Sequence, residues 1–304
     1  MRIGLTGGGS SLDKIVQQAQ RAEHDGFRSL WYASVVAGDP LVAMAFAGQA
    51  TSSIELGTAV LQTYPCHPLL QANRAASVVN AMGRPGLTLG VGPSHETLIR
   101  DVYGLSYERP GRNTEEYMAI LTGLLRGEEM DHVGTEWTTR SAGRMVSLDH
   151  PVPVLVAALS PRLLRVAGEL GEGTVLWMAS AQAIETHVAP RLHAAAASAG
   201  RTAPRIVAGL PVAVHDDRAE ARAAAAARAR VYAGMPNYNR ILHAGGATEP
   251  ADAAIVGDEK SVSKQLTAVL DAGATDIWAD VFPVGNDRSA SRRRTMDLLR
   301  ELAT

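Results

Sequence analysis

The feature that most limits what this chain can fold into is an alternation of eight short apolar runs with helix-like stretches. The runs are RIGLT (2–6), RSLWYA (28–33), IELGTAVL (54–61), GLTLGVG (86–92), VPVLVAAL (152–159), GTVLWMA (173–179), RIVAGLPVAV (205–214) and TDIWADV (275–281). They are near-continuous rather than alternating, which suits strands covered on both faces. Between the first two, LDKIVQQAQRAEHDG puts Leu12, Ile15, Val16, Ala19 and Ala22 on one helical face. Gly26, Gly83 and Gly273 stand where helices would end. Repeated βα units imply a parallel sheet, and eight of them fit a closed (β/α)8 barrel of the TIM type better than an open sheet.

A length of 304 residues is ordinary for one such barrel, and a single domain over 1–304 is expected. Two segments interrupt the alternation: residues 127–150, which read as a small hairpin or excursion, and residues 234–257. Insertions after barrel strands either build the ligand pocket or stay on the surface. The one cysteine, Cys66, excludes an internal disulfide and a cysteine-rich metal site, and fits a reducing compartment. A net charge of −2 argues against a nucleic-acid or polybasic membrane partner. Of the 29 basic side chains only Lys14, Lys260 and Lys264 are lysines. The opening MRIGLT shows no charged-then-apolar leader, and no apolar run approaches the ~20 residues that span a bilayer. A cytoplasmic protein is expected.

The conspicuous motifs fail on inspection. TGGGSS (6–11) lacks the Lys-Ser/Thr of a P-loop, and Leu12 takes the place of the third glycine of a dinucleotide fingerprint. GVGPSH (90–95) has the same shortfall, with His95 in the glycine's place; it says that backbone there can approach a ligand closely. Ser160-Pro161-Arg162 after the fifth run reads as a helix start, which could hold an anion or be an ordinary cap with a surface arginine. No metal-binding histidine motif and no Gly-x-Ser-x-Gly elbow occurs. His67 and His95 differ from the other histidines in following barrel strands, where a catalytic face lies.

Six stretches in one order carry a resemblance: AEHDGFRSLWYAS, IELGTAVLQTYPCHPLL, GLTLGVGPSH, YGLSYERPGRNTEEYMAIL, PVPVLVAALSPRLLRVAGELGEGTVLW and GDEKSVSKQLTAVLDAGATDIWAD. Together they resemble the bacterial luciferase-like oxidoreductases, most closely the branch that uses the deazaflavin coenzyme F420. The resemblance implies a (β/α)8 barrel whose insertions shape a cleft at the C-terminal ends of the strands. It implies a non-proline cis peptide at Ala59–Val60, forming a bulge behind the cofactor's middle ring. It places Gly92, Pro93, Ser94 and His95 near the ring system. Ala158, Leu159 and Ser160 fall on the cofactor's tail phosphate, with Arg162 assisting, and Thr6 and Trp177 in the same wall.

Two departures matter. Sugar-phosphate dehydrogenases of the family carry Asp-His after the second strand, where this chain has Ser34-Val35, and Glu where it has His95. With that base missing, a reductase delivering hydride from reduced F420 to a small organic substrate is favoured. His95 is the first candidate over the reacting carbon, followed by Tyr64 and His67. The alternatives are an FMN-dependent monooxygenase supplied by a partner reductase, and a non-catalytic deazaflavin-binding protein. A homodimer is implied by the resemblance.

Overall fold

Strands covered on both faces need helices outside and side chains inside, and the chain supplies both. The structure is a computed structural model and describes residues 1–34, 38–141, 143 and 146–303. Val35 of the Ser34-Val35 pair lies outside the described residues. The first half runs β1 (Ile3–Gly7), α1 (Leu12–His24), β2 (Ser29–Tyr32), α2 (Pro40–Gln49), β3 (Glu55–Thr58), β4 (Leu61–Gln62), α3 (Pro68–Met82), β5 (Leu87–Gly92) and α4 (Pro110–Leu125). The hairpin β6 (Asp131–Val133) and β7 (Thr138–Arg140) follows. The second half runs β8 (Val154–Val156), α5 (Pro161–Leu170), β9 (Gly173–Trp177), the single turn α6 (Ala181–Ala183), α7 (Ala189–Ser198) and β10 (Arg205–Val214). It ends with α8 (Arg218–Ala229), α9 (Pro236–Ala244), β11 (Ile255–Gly257), α10 (Glu259–Asp271), β12 (Asp276–Val281) and α11 (Arg288–Ala303).

Eight strands pair in parallel in the order β1-β2-β3-β5-β8-β9-β10-β12, and β12 returns to β1, closing the (β/α)8 barrel. These are the eight apolar runs of the sequence. β4 continues β3 beyond the Ala59–Val60 bond, which is cis, and pairs with β5.

The barrel interior is layered. At the N-terminal end Arg205 bridges Glu55, at 2.6 and 2.8 Å, and Asp276, at 2.8 Å, above the face of Trp31. The middle is filled by Trp31, Leu155, Val175, Val207 and Trp278. Two tryptophans fit because glycines face them in register: Gly57 opposite Trp31 and Gly209 opposite Trp278. A Cβ on Gly57 would lie 2.4 Å from the Trp31 ring, and one on Gly209 2.3 Å from the Trp278 ring. The C-terminal end is left open above this plug.

The two interruptions become two different devices. The β6–β7 hairpin is pinned to α4 by buried Glu116. Its carboxylate accepts the N–H groups of Thr135 (3.0 Å), Glu136 (2.8 Å) and Trp137 (3.0 Å), and Arg112 Nε (2.8 Å). Residues 234–257 carry α9, a short 3₁₀ turn and β11, which pairs with β10. There Asp252 accepts the N–H groups of Thr248 and Glu249 and pairs with Arg222 of α8.

Candidate functional site

Above the tryptophan layer lies a cavity of about 630 Å³ at the C-terminal ends of the strands. The ends of β3, β5, β8, β9 and β12 contribute its wall, and α8 and α9 reach over it. Of the residues expected at a site, Thr6, Ala59, Val60, Pro93, Ser94, His95, Ala158, Leu159, Ser160 and Trp177 line this cavity together. Gly92 lies just behind the wall; a Cβ there would sit 2.8 Å from Ala157 and 3.3 Å from Val60. Arg162 lines an adjoining space instead.

Tyr64 and His67 stand outside the lining. His67 caps α3: its Nδ1 accepts Leu69 N–H at 3.2 Å, and its Nε2 lies 3.0 Å from the Thr138 carbonyl. Through these two contacts the ring ties α3 to the hairpin. The Tyr64 ring packs 5.4 Å from Tyr107, and its buried hydroxyl has no hydrogen-bond partner among the described residues; burial raises its pKa.

His95 is presented by a turn at the end of β5. Ser94 has φ of 65°, the left-handed region that non-glycine residues rarely occupy, and its carbonyl accepts the Tyr107 hydroxyl at 2.7 Å. Burial lowers the pKa of His95, so the neutral imidazole prevails at pH 7. A neutral ring has one donor and one acceptor nitrogen, so it can pass or take a single proton.

Several residues of the site were not found in the sequence. An arc of rings runs from His95 to Tyr238 (5.8 Å between centroids), Tyr232 (4.8 Å), Trp177 (6.1 Å) and Trp278 (5.2 Å). Burial holds the phenols of Tyr232 and Tyr238 above their ordinary values, so both stay protonated donors. A polar chain closes the far side: Trp278 Nε1 donates to Thr6 Oγ1 (2.9 Å), which donates to Asp280 Oδ1 (3.2 Å). Asp280 is buried and paired with Arg228, whose Nε lies 3.0 Å from Oδ2. Near the missing Asp-His position, Gln62 donates to Ser34 at 2.7 Å. A carboxylate at the C-terminal end of an otherwise apolar barrel strand was a readable signal for Asp280.

A second space of about 550 Å³ opens beside the cavity and shares Pro93, Ser160, Leu163 and Asn237 with it. It is lined by Arg109, Arg112, Arg162 and Arg240. The first three are paired with Glu136, Glu116 and Glu115, while Arg240 donates to Asn237 and has no carboxylate partner among the described residues. Ser160 caps α5 by accepting Leu163 N–H at 3.3 Å, and Pro161 has no N–H, so among the described residues the Arg162 N–H has no partner at the helix start. A mostly apolar, ring-lined cavity joined to an arginine-rich annex at a helix N-terminus suits a flat tricycle with an anionic tail. The donor set therefore fits a deazaflavin or flavin phosphate.

Comparison with known proteins agrees with this geometry. The chain is 27% identical over 291 residues to the 5,10-methylenetetrahydromethanopterin reductase of Methanolobus tindarius, covering 94% of this chain and 86% of that one. It is 32% identical over 284 residues to the F420-dependent hydroxymycolic acid dehydrogenase of Mycobacterium tuberculosis, covering 86% and 77%. A solved F420-dependent secondary alcohol dehydrogenase in complex with an F420-acetone adduct has the same barrel, with a TM-score of 0.80 at 18% identity over 99% and 97% of the two chains. Residues 2–301 match the luciferase-like monooxygenase family, and the chain belongs to it.

Proposed function

We propose that this protein is an F420-dependent oxidoreductase that works as a reductase on a small, mainly apolar substrate. The observation that carries the reading is the joined pair of spaces: a ring-lined cavity against the Ala59–Val60 bulge, leading to arginines at the start of α5. Curated relatives named for F420 or for methylenetetrahydromethanopterin reduction support the cofactor assignment. Bound F420 supplies a two-electron hydride donor or acceptor.

The chain's residues do the rest. Ala59 and Val60 would back the ring system, with Pro93 and Ser94 beside it, and Ala158, Leu159 and Ser160 lead to the annex, where Arg162 and Arg240 would hold a phosphate. Trp177, Tyr232 and Tyr238 exclude water and orient the substrate by its apolar faces. His95, kept neutral by burial, would donate its ring N–H to the substrate's oxygen or nitrogen and relay one proton there while its other nitrogen takes one up from water. Asp280 is held by Arg228 and Thr6, so it serves as a fixed acceptor rather than a mobile base. Among the described residues no other carboxylate lines this cavity, which favours reduction over removal of a proton from an alcohol.

Among the described residues no helix is long and apolar enough to cross a membrane. We propose a cytoplasmic location, which the single cysteine, Cys66, fits. We also read a homodimer from α2 and α3, where Val42, Phe46 and Leu70 are about half exposed. Stopped-flow oxidation of reduced F420 against enones, imines and quinones tests the activity. Turnover with one class supports the reading. No oxidation with any of them, with F420 bound, makes the protein a deazaflavin carrier instead.

A further inference from the structure

A third cavity, about 880 Å³, lies on the barrel flank between α1 and α11. Its floor is apolar, with Leu5, Phe27, Ala279 and Met296. Its walls are cationic: Arg21, Arg228, Arg288, Arg292, Arg293 and Arg300 face it, against Asp25, Asp280 and Asp297. The carboxylates are already engaged. Arg300 pairs with Asp25 (2.8 Å) and Asp297 (2.6 Å), and Arg228 with Asp280.

That leaves four arginines around one cavity without a carboxylate. Arg292 donates only to the Val281 carbonyl at 3.2 Å, and Arg21, Arg288 and Arg293 have no side-chain partner among the described residues. Such a concentration of positive charge stands out on a chain whose net charge is −2. At the start of α11 the Asp287 carboxylate accepts the Ala290 N–H and its carbonyl the Ser291 N–H, while those of Arg288 and Ser289 have no partner among the described residues. The groove opens after the eighth barrel strand, a position where α/β barrels commonly hold phosphate.

We propose that the α1–α11 groove binds a small polyanion carrying two or more phosphate or carboxylate groups, at a site separate from the cofactor's. Planar guanidiniums grip either group by paired hydrogen bonds, and the apolar floor accepts the body of the molecule. Thr6, Arg228 and Asp280 line both this groove and the central cavity, so the Arg228–Asp280 pair forms their shared wall. An anion that draws on Arg228 therefore loosens the hold on Asp280 beside the substrate.

Calorimetric titration of the full chain at low salt, separately with pyrophosphate and with citrate, tests this. Saturable one-to-one binding of either probe is expected, and the tighter probe tells phosphate from carboxylate recognition. Affinity should fall at least ~10-fold in Arg288→Ala/Arg293→Ala, whose side chains make no internal bond, and stay unchanged in Arg240→Ala. Arg293→Glu, a single exposed reversal, should weaken binding further than Arg293→Ala. No binding of either probe overturns the proposal. So does binding that survives the double substitution but is lost in Arg240→Ala, which would put the anion in the annex of the central cavity.

Discussion

His95 owes its chemistry to the end of β5, where Ser94 turns the chain and burial strips water from the imidazole. His95→Ala should lower turnover well beyond tenfold, within the usual ~100- to 10,000-fold worth of a positioned acid–base group, with little change in F420 affinity. Unchanged turnover would remove it from the proton's path. Because folding depresses its pKa below 6.5, the unfolded chain takes up the proton first as pH falls. Its contribution to stability is therefore flat above 6.5 and declines with acid below it. Urea midpoints followed through that window should drop less steeply in His95→Gln than in the wild type, and parallel slopes would contradict the assignment. Gly57 is the residue that admits Trp31, so Gly57→Ala should cost about 1–3 kcal/mol by overpacking, read from the shift in denaturant midpoint.

At the scale of elements, one carboxylate holds the β6–β7 hairpin. Glu116→Ala orphans three backbone N–H groups and should destabilise the protein by about 2–4 kcal/mol, with hydrogen exchange rising first at Thr135, Glu136 and Trp137. Although burial alone would raise the Glu116 pKa, those N–H groups and Arg112 lower it. The stability it adds is full above its ordinary 4.5 and lost as pH falls through the lower folded value. The eight strands were legible because continuous apolar runs have few other uses in a chain of this pattern. Strand-end position singled out His95, and the family resemblance singled out Ala59, Ser160 and Trp177; all four line the one cavity. Tyr232 and Tyr238 were not, since they follow β10 only after a helix and are brought over the cavity by how α8 and α9 pack. His67 and Tyr64 follow a strand too, yet the turn into α3 sets His67 against the hairpin and Tyr64 against Tyr107 rather than in the cavity. Strand-end position marks a face; it does not say which way a side chain turns.

Across the whole molecule, three layers divide the labour: an ionic seal of Arg205, Glu55 and Asp276, a tryptophan plug, and an open cavity above. The plug fixes the depth of the site, so a bound ring system rests on apolar surface and spends its polar contacts at the annex. Outside the barrel, the exposed apolar residues of α2 and α3 should pair with a second copy. Phe46→Glu/Leu70→Glu should shift the sedimentation coefficient from dimer to monomer; a wild type that already sediments as a monomer would contradict that arrangement. The central claim is that the cavity and its annex are built for F420. Fluorescence titration of the purified protein with F420 and, separately, with FMN tests it most directly. Saturable F420 binding that weakens in Arg240→Ala, with FMN bound far less tightly, is the predicted result, whereas tight FMN binding with no F420 binding would contradict it.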